Sequence, residues 1–293
     1  MKRNKIKLRE LIAYFLYPIL RIKNYLLSYF SNQNGRLIVV LYHDVNTNQI
    51  DKFASQIDWL SNYWEFITPR QFELMSKGVL PIDKNYILLT FDDGFYSNGI
   101  VATKVLNPRN IKAIFFIVSE FANIELEVNA RKFIAKNILP ELSPMQVPLD
   151  QYNLNWNDLK DLIKNGHMIG SHTKTHCRLS EVSSNQNLRT EIIESADEIS
   201  KNLSIDVKHF AYTFGTLEDF SEDALTVASD RFDFVYSGLR GYNSKKTSNY
   251  AVRRHSVSPE NSLPLLGFLL EGGADYRYKK SLNVIDSWAN KLL

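Results

Sequence analysis

The stretch "YILLTFDDGFYSNG" (residues 86–99) joins a run of apolar residues to two adjacent carboxylates, Asp92 and Asp93, which are followed by Gly94. The residues before Asp92 are suited to a buried strand. Two like charges at the end of such a strand repel each other and are costly near an apolar core unless something offsets them. The stretch therefore indicates a bound cation or a reaction, although Asp-Gly pairs also form ordinary turns.

Strands and helices alternate at least six times along the rest of the chain. The run "GRLIVVLYHDV" (residues 35–45) is apolar without alternation, which is typical of a buried strand in a parallel sheet. We therefore predict an α/β fold with a parallel sheet that forms a closed or nearly closed barrel. The sequence has no dinucleotide-binding glycine motif and no P-loop, which argues against a Rossmann cofactor site.

One connection is much longer than the others. Residues 121–155 separate two regular strand and helix units, where short loops are the norm. We expect this insertion to form a lid or a substrate wall over the barrel mouth. Together with the basic N-terminus, it gives a predicted division into a segment at residues 1–35 and a barrel at residues 36–293.

The N-terminal segment is basic and apolar. The apolar run "LIAYFLYPIL" (residues 11–20) has ten residues, too few to span a bilayer, and no small-residue cleavage site of the usual kind follows it. We expect residues 1–30 to form a surface helix or to lie on an anionic membrane surface, with Pro18 kinking or ending the helix. A cleaved secretory signal is the alternative. The basic residues that flank the run are Lys2, Arg3, Lys5, Lys7, Arg9, Arg21 and Lys23.

The composition excludes some classes of protein. A chain of 293 residues with 44% hydrophobic content can form a real core, which excludes disorder as the main state. The net charge of +3 and the lack of a basic stripe argue against a nucleic-acid partner. The one cysteine, Cys177, excludes an intramolecular disulfide and leaves the compartment open. We expect a cytoplasmic protein or one bound to the inner face of a membrane, with a secreted protein as the less favoured alternative.

A second polar cluster follows another predicted strand. In "GSHTKTH" (residues 170–176), His172 and His176 are four residues apart. Two imidazoles and one carboxylate can bind a divalent ion and leave positions open for water and substrate. A histidine pair by itself is often incidental, but active sites of α/β barrels lie at the carboxyl ends of the strands. Both clusters fall at such ends, so together they predict a metal site.

These motifs resemble a known family. The stretches "LTFDDGF" (89–95), "GHMIGSHTKTH" (166–176) and "FAYTFG" (210–215) are similar to the first three motifs of the NodB-homology polysaccharide deacetylases. "VLYHDV" (40–45) resembles the first strand of members with permuted motifs, such as the poly-N-acetylglucosamine deacetylases. The resemblance covers about residues 37–258. It implies a distorted (β/α) barrel, a divalent metal, often zinc, and hydrolysis of the N-acetyl group of an amino sugar.

The resemblance also implies roles for individual residues. Asp93, His172 and His176 would bind the metal, and Asp92 would be the general base. One carboxylate would then offset the charge of the ion, and the other would take a proton from water that the ion acidifies. The backbone N–H of Phe214 would stabilise the oxyanion formed from the acetamide carbonyl.

The sequence departs from the family pattern in its third motif. Thr213 stands where relatives often have a proline, which predicts a less rigid loop, and the arginine that many relatives carry there is absent. In "AVRRHSV" (251–257), Arg253 or Arg254 resembles an arginine of some relatives, with Arg254 the better match. We expect Arg254 to orient Asp92, and an ordinary salt bridge is the alternative.

The general acid must protonate the departing amine, and two histidines are candidates. His43 ends the first buried strand and matches the acid of the permuted relatives. His255 follows two arginines, whose charge would lower its pKa, so we favour His43. We interpret His167 and His209 as structural.

The predicted function is a metal-dependent hydrolase that removes an N-acetyl group from an amino sugar of an envelope glycan or its precursor. Zinc is the expected metal, and cobalt and nickel also suit these ligands. The alternatives are a hydrolase of a different small amide or ester, and a catalytically silent carbohydrate-binding barrel.

Overall fold

A computed structural model describes residues 2–31 and 35–292 of the chain. Its sheet consists entirely of parallel pairs, and strand order is β7-β6-β5-β4-β3-β1-β8. The short strand β2 pairs with the first half of β3. The strands are β1 (Arg36–Tyr42), β2 (Glu65–Phe66), β3 (Asn85–Phe91), β4 (Ala113–Ile117), β5 (Met168–Ser171), β6 (His209–Ala211), β7 (Phe234–Tyr236) and β8 (His255–Ser256).

The segment around β8 connects the two ends of the sheet. Val252 forms a parallel bridge with Tyr236 of β7, and three residues later His255 pairs with Val40 of β1. The sheet therefore curls into the distorted (β/α) barrel that the resemblance implies, and the prediction of fold class is confirmed. The three strands of five or more residues, β1, β3 and β4, are each paired on both sides, so the curled sheet leaves few free edges.

Helices surround the barrel. The α-helices are α1 (Lys2–Ser31), α2 (Ile50–Leu60), α3 (Pro69–Ser76), α4 (Tyr96–Val101), α5 (Ser119–Ala122), α6 (Glu127–Phe133), α7 (Trp156–Lys164), α8 (Asn185–Arg189), α9 (Ser195–Leu203), α10 (Glu222–Ser229), α11 (Leu263–Leu270) and α12 (Lys279–Asn290). Turns of π-helix at Ala102–Leu106 and Ile134–Ile138 extend α4 and α6, and Thr190–Glu194 joins α8 to α9. Short 3-10 helices lie at Thr47–Gln49, Asn107–Arg109, Leu179–Glu181, Leu217–Asp219, Asn249–Ala251 and Asp275–Tyr278.

Both faces of the central strands are buried, which explains their uninterrupted apolar sequences. In β1, Ile38, Val40 and Tyr42 belong to the core between the sheet and the helices. Leu37 and Val39 point the other way into a second core, inside the barrel. Because side chains alternate along a strand, a strand that packs on both faces must be apolar at every position.

The N-terminal helix α1 continues through Pro18, so of the two outcomes expected there, a kink or an end, the structure excludes the end. Contacts with the barrel on both sides of Pro18 hold the helix in place. Ala13 is fully buried, and the Asn24 side chain donates a 2.7 Å hydrogen bond to Glu271. The loss of one backbone hydrogen bond at Pro18 is tolerated because these contacts fix the helix axis. The predicted boundary at residue 35 lies beside residues 32–34, which are outside the described residues, and it stays a prediction.

Candidate metal and catalytic site

The two aspartates lie where β3 ends and the chain turns. Asp92 comes directly after β3 and still pairs as a strand residue would, because its N–H donates to the Tyr42 carbonyl of β1 at 3.0 Å. Asp93 and Gly94 both have positive φ values, of 75° and 86°. The turn therefore begins at Asp93 itself, which is why two adjacent carboxylates can approach one site although neighbouring side chains of a strand point apart.

Asp93, His172 and His176 come together as the sequence predicts. Their ligand atoms lie within 4.8 Å of one another, and all three residues are buried. Asp93 Oδ1 is 3.4 Å from His172 Nε2 and 3.2 Å from His176 Nε2. Within the described part of the chain, this oxygen accepts no hydrogen bond. A buried acceptor without a donor is costly, so the arrangement suits a cation.

Both imidazoles are oriented for metal binding by backbone carbonyls. His172 Nδ1 lies 2.6 Å from the Ala211 carbonyl oxygen, and His176 Nδ1 lies 2.8 Å from that of Asn137. A carbonyl only accepts, so each Nδ1 must carry the proton, and each Nε2 keeps a lone pair directed at Asp93. Hydrogen bonds of this kind orient histidine ligands in metal sites. The three side chains could therefore hold a divalent ion.

The charges around these side chains favour a cation. Burial would raise the pKa of Asp93, but the N–H groups and positive charge that His172 and His176 offer when protonated hold that pKa well below its usual range. Burial would lower the pKa of His172, but the charge of Asp92 and the contact with Asp93 raise it. Two buried carboxylates thus attract positive charge to this point, and a divalent ion supplies that charge without protonating the ligands.

Arg254 forms a buried ion pair with Asp92. Its Nη1 and Nη2 donate to the two carboxylate oxygens of Asp92 at 2.7 and 2.9 Å, and its Nε donates to the Ser237 carbonyl at 2.8 Å. The side chain of Arg254 is 0% exposed, so this is not a surface salt bridge. A bidentate pair fixes the carboxylate plane. Arg253, the other candidate, instead pairs with the half-buried Asp286 at 2.8 Å.

The third motif forms a tight turn beside His176 of the triad. Phe214 has a φ of 60°, and its ring lies 4.8 Å from that of His176. Its amide donates no hydrogen bond within residues 35–292. A Cβ at Gly215 would lie 2.9 Å from the backbone of Gly238, so glycine permits this close approach. Thr213 is buried, and its hydroxyl donates to the Cys177 carbonyl, which ties the loop down in place of a proline.

The structure separates the two candidates for the general acid. His43 follows β1 directly, is exposed, and is close enough to Asp93 to help lower its pKa. His255 is fully buried and its Nε2 lies 3.1 Å from the Gly241 carbonyl. Burial lowers the pKa of His255 to about 3, and the charge of Arg240 adds to the effect. The arginine that lowers the pKa of His255 is therefore Arg240, and not Arg253 or Arg254, which precede His255 in the sequence.

The other two histidines lie at the amino ends of their strands, away from the site. His167 Nδ1 accepts the N–H of Ala113 at 3.2 Å, and burial lowers its pKa to about 4. His209 lies 3.1 Å from Glu73 and 2.8 Å from the Tyr236 hydroxyl. These contacts agree with structural roles for both.

The insertion contributes to the site in a way that the sequence does not signal. Asn137, whose carbonyl accepts from His176, lies in the π-helical turn Ile134–Ile138. Near the end of the insertion, the Gln151 amide donates to Asp44, the neighbour of His43, at 2.5 Å. A backbone carbonyl can come from any residue type, so no residue pattern could identify Asn137.

The family of the chain follows from comparison with known proteins. The polysaccharide deacetylase family model matches residues 81–231, just over half of the chain. The chain belongs to this family, whose members are carbohydrate N-deacetylases, and it is therefore a hydrolase of this class. The polysaccharide deacetylase homologue YxkH of Bacillus subtilis is 22% identical over 244 residues, which cover 81% of this chain and 77% of YxkH.

Solved structures share the fold. IcaB from Ammonifex degensii superimposes with a TM-score of 0.63 at 21% identity, and the match covers 81% of this chain and 98% of IcaB. The Streptococcus pyogenes deacetylase PplD, solved with acetate, gives a TM-score of 0.61 at 19% identity, over 80% of this chain and 97% of PplD. These likenesses confirm the barrel type.

The buried ion pair gives a prediction about stability. Replacing Arg254 by Met would leave Asp92 buried and unpaired, which we expect to lower the free energy of unfolding by about 3–5 kcal/mol. The control is Arg253→Met, which breaks the more exposed pair with Asp286 and should cost about 1 kcal/mol or less. Urea denaturation measures both values. Equal losses in the two variants would contradict the structural importance of the Asp92 pair.

Proposed function

We propose that the chain is a metal-dependent N-deacetylase that acts on an N-acetylated amino sugar of a cell-envelope glycan or its precursor. The observation that carries this proposal is the buried triad of Asp93, His172 and His176, with both Nε2 atoms directed at Asp93, beside an Asp92 that Arg254 holds in place. A base next to a set of metal ligands is the minimum needed for metal-assisted amide hydrolysis.

We assign zinc to the triad, because two imidazole nitrogens and one carboxylate are a set of ligands typical of catalytic zinc sites and would leave room for water or substrate. Cobalt and nickel suit the same ligands. When bound, the ion supplies Lewis-acid chemistry that acidifies water and polarises the acetyl carbonyl.

The protein's own residues then perform the proton transfers. Asp92, fixed by Arg254, takes the proton of the attacking water. The Phe214 N–H donates to the oxygen of the former carbonyl as its negative charge grows. His43, exposed at the end of β1, protonates the departing sugar amine, which leaves as acetate is formed. His255 is unsuited to this step because it is buried and stays neutral at ordinary pH.

The metal assignment predicts different effects for ligand and base variants. His172→Ala should lose both bound zinc and turnover, because a three-ligand site tolerates the loss of one ligand poorly. Asp92→Asn should keep the zinc and lose turnover. Elemental analysis of the dialysed proteins and acetate release from N-acetylglucosamine oligomers measure the two properties. Full zinc occupancy in His172→Ala would refute the ligand set, and equal hydrolysis of simple amides would refute the sugar substrate.

The general-acid assignment is tested by two histidine variants. His43→Ala should lower turnover about a hundredfold or more with unchanged zinc content, which is the usual scale for a lost general acid. His255→Asn keeps a polar side chain next to the Gly241 carbonyl and should retain turnover in the folded protein. If His255→Asn abolishes turnover at full zinc content and His43→Ala does not, then His255 is the acid.

We also propose that the protein associates peripherally with the inner face of an anionic membrane through α1. Among the described residues, no helix has the length and apolar content to cross a bilayer. One side of α1 packs on α11, where the Tyr17 ring lies against Gly267. The helix nevertheless leaves many large apolar side chains between 42% and 80% exposed. They include Leu8, Leu11, Ile12, Tyr14, Phe15, Leu16, Ile19, Ile22, Leu26, Tyr29 and Phe30.

The charge of α1 complements such a surface. Its sequence contains seven basic residues and a single acidic residue, Glu10. Basic residues next to an anionic leaflet contribute about 1 kcal/mol each, and apolar side chains of an in-plane helix enter the acyl boundary. This arrangement would bring the site close to a glycan carried on a lipid.

Vesicle flotation tests the membrane proposal. We expect the protein to float with vesicles of equal parts phosphatidylglycerol and phosphatidylcholine, and much less with phosphatidylcholine alone. The variant Phe15→Gln/Ile19→Gln/Ile22→Gln removes three side chains that are each 61% exposed on one face of the helix. Its partitioning should fall at least tenfold, because burial of each such side chain contributes up to about 1.5–3 kcal/mol.

The matched control changes exposed apolar residues elsewhere on the barrel. Val79→Gln/Met145→Gln/Leu149→Gln alters side chains that are 67%, 96% and 77% exposed and should partition like the unchanged protein. Equal partitioning of the two triple variants would refute α1 as the membrane-binding element.

A further inference from the structure

The loop between the two histidine ligands is held in a strained conformation. Thr173 and His176 have φ values of 66° and 64°, a region that side chains other than glycine rarely adopt. Such residues cost about 1–3 kcal/mol each and persist only where the surroundings fix them. Because the two ligands lie at the ends of this loop, its shape sets the distance between their Nε2 atoms.

One carboxylate, that of Glu191, binds the middle of this loop. Glu191 Oε2 accepts the N–H of Lys174 at 3.1 Å and that of Thr175 at 2.9 Å. Glu191 Oε1 accepts the Thr175 hydroxyl at 2.9 Å. Hydrogen bonds to an ionised acceptor are about twice as strong as neutral ones. Three such hydrogen bonds, from the two consecutive residues Lys174 and Thr175, leave the loop little freedom to rotate.

The helix that carries Glu191 is adapted to this contact. Glu191 lies in the π-helical turn Thr190–Glu194, and such turns are rare and frequent at functional sites. Four residues later, the Ser195 hydroxyl donates to the Thr173 carbonyl at 2.9 Å. The same helix therefore fixes the loop both at the strained Thr173 and at its centre.

We propose that Glu191 is a positioning residue for the metal site, which holds His172 and His176 at the spacing that a divalent ion requires. It touches neither the ion nor the substrate and acts through the backbone of the loop. This inference rests on the proposed metal site. It extends that proposal because no feature of the motif "HTKTH" points to a residue that lies fifteen positions beyond it.

The test compares zinc affinity in matched variants of the whole chain. Glu191→Gln keeps the size of the side chain but removes its negative charge, so that its hydrogen bonds to the loop are no longer strengthened by charge. Glu194→Gln is the control, because Glu194 is in the same helical turn and faces Lys174, with its carboxylate 3.6 Å from Nζ and half exposed. Zinc dissociation constants are measured by competition with a chromophoric chelator, and unfolding of the apo-protein by urea.

We expect Glu191→Gln to weaken zinc binding about 10–100-fold, the range found for residues that orient metal ligands. Glu194→Gln should change it less than about twofold, since an exposed ion pair contributes little. Turnover of Glu191→Gln should recover substantially at saturating zinc, because the ligands and Asp92 remain. A residue with a merely structural role would lower the urea midpoint but leave the zinc affinity of the folded protein unchanged.

A second variant covers the case in which Glu191→Gln does not fold. Thr175→Val removes one of the three hydrogen bonds without a change of charge and should weaken zinc binding several-fold. Wild-type zinc affinity in either folded variant, or an equal loss in Glu194→Gln, would overturn the positioning role. If the unchanged protein itself binds no zinc, then the metal site fails, which is a distinguishable result.

Discussion

The buried ion pair between Asp92 and Arg254 couples the proposed catalytic base to the closure of the barrel. Arg254 lies in the segment that connects β7 to β1, where its own N–H donates to the Leu239 carbonyl. A guanidinium with 0% exposure costs several kcal/mol of desolvation unless a partner meets it. The barrel can therefore close in this way only if Asp92 meets the guanidinium, and the same contact fixes the Asp92 carboxylate in one plane.

Backbone strain is concentrated at the same edge of the barrel. Of the six residues other than glycine with positive φ in residues 35–292, four lie at the site: Asp93, Thr173, His176 and Phe214. Each is fixed by its surroundings. His176, for example, donates its N–H to the Thr173 hydroxyl at 3.0 Å. Strained residues that cluster in this way are typical of functional sites, where the rest of the fold supplies the stability that tolerates them.

Two segments outside the regular repeat adapt the common barrel to this protein. The insertion supports His176 through the Asn137 carbonyl. The helix α1 covers α11 on one side and leaves an apolar surface on the other. The family-model match at residues 81–231 includes neither His43 nor Arg254. The roles proposed for those two residues therefore rest on the resemblance of their motifs to those of permuted relatives and, for Arg254, on its contact with Asp92.

The amino-acid sequence by itself determined the strands, because those buried on both faces must be apolar throughout. It also indicated that the aspartates and the histidine pair meet at one edge, because both follow strands whose carboxyl ends lie together in a parallel barrel. The choice of Asp93 as the carboxylate of the triad came from the family resemblance. The sequence did not determine how α1 continues through Pro18, since contacts with α11 hold the helix there. Only the tertiary structure decided which arginine pairs with Asp92, that His255 is buried, and that Glu191 and the Asn137 carbonyl hold the ligand loop. These contacts join positions far apart in the chain. A backbone carbonyl or a glutamate of an amphipathic helix has no local sequence pattern that identifies its partner, because that partner comes near only when the barrel forms.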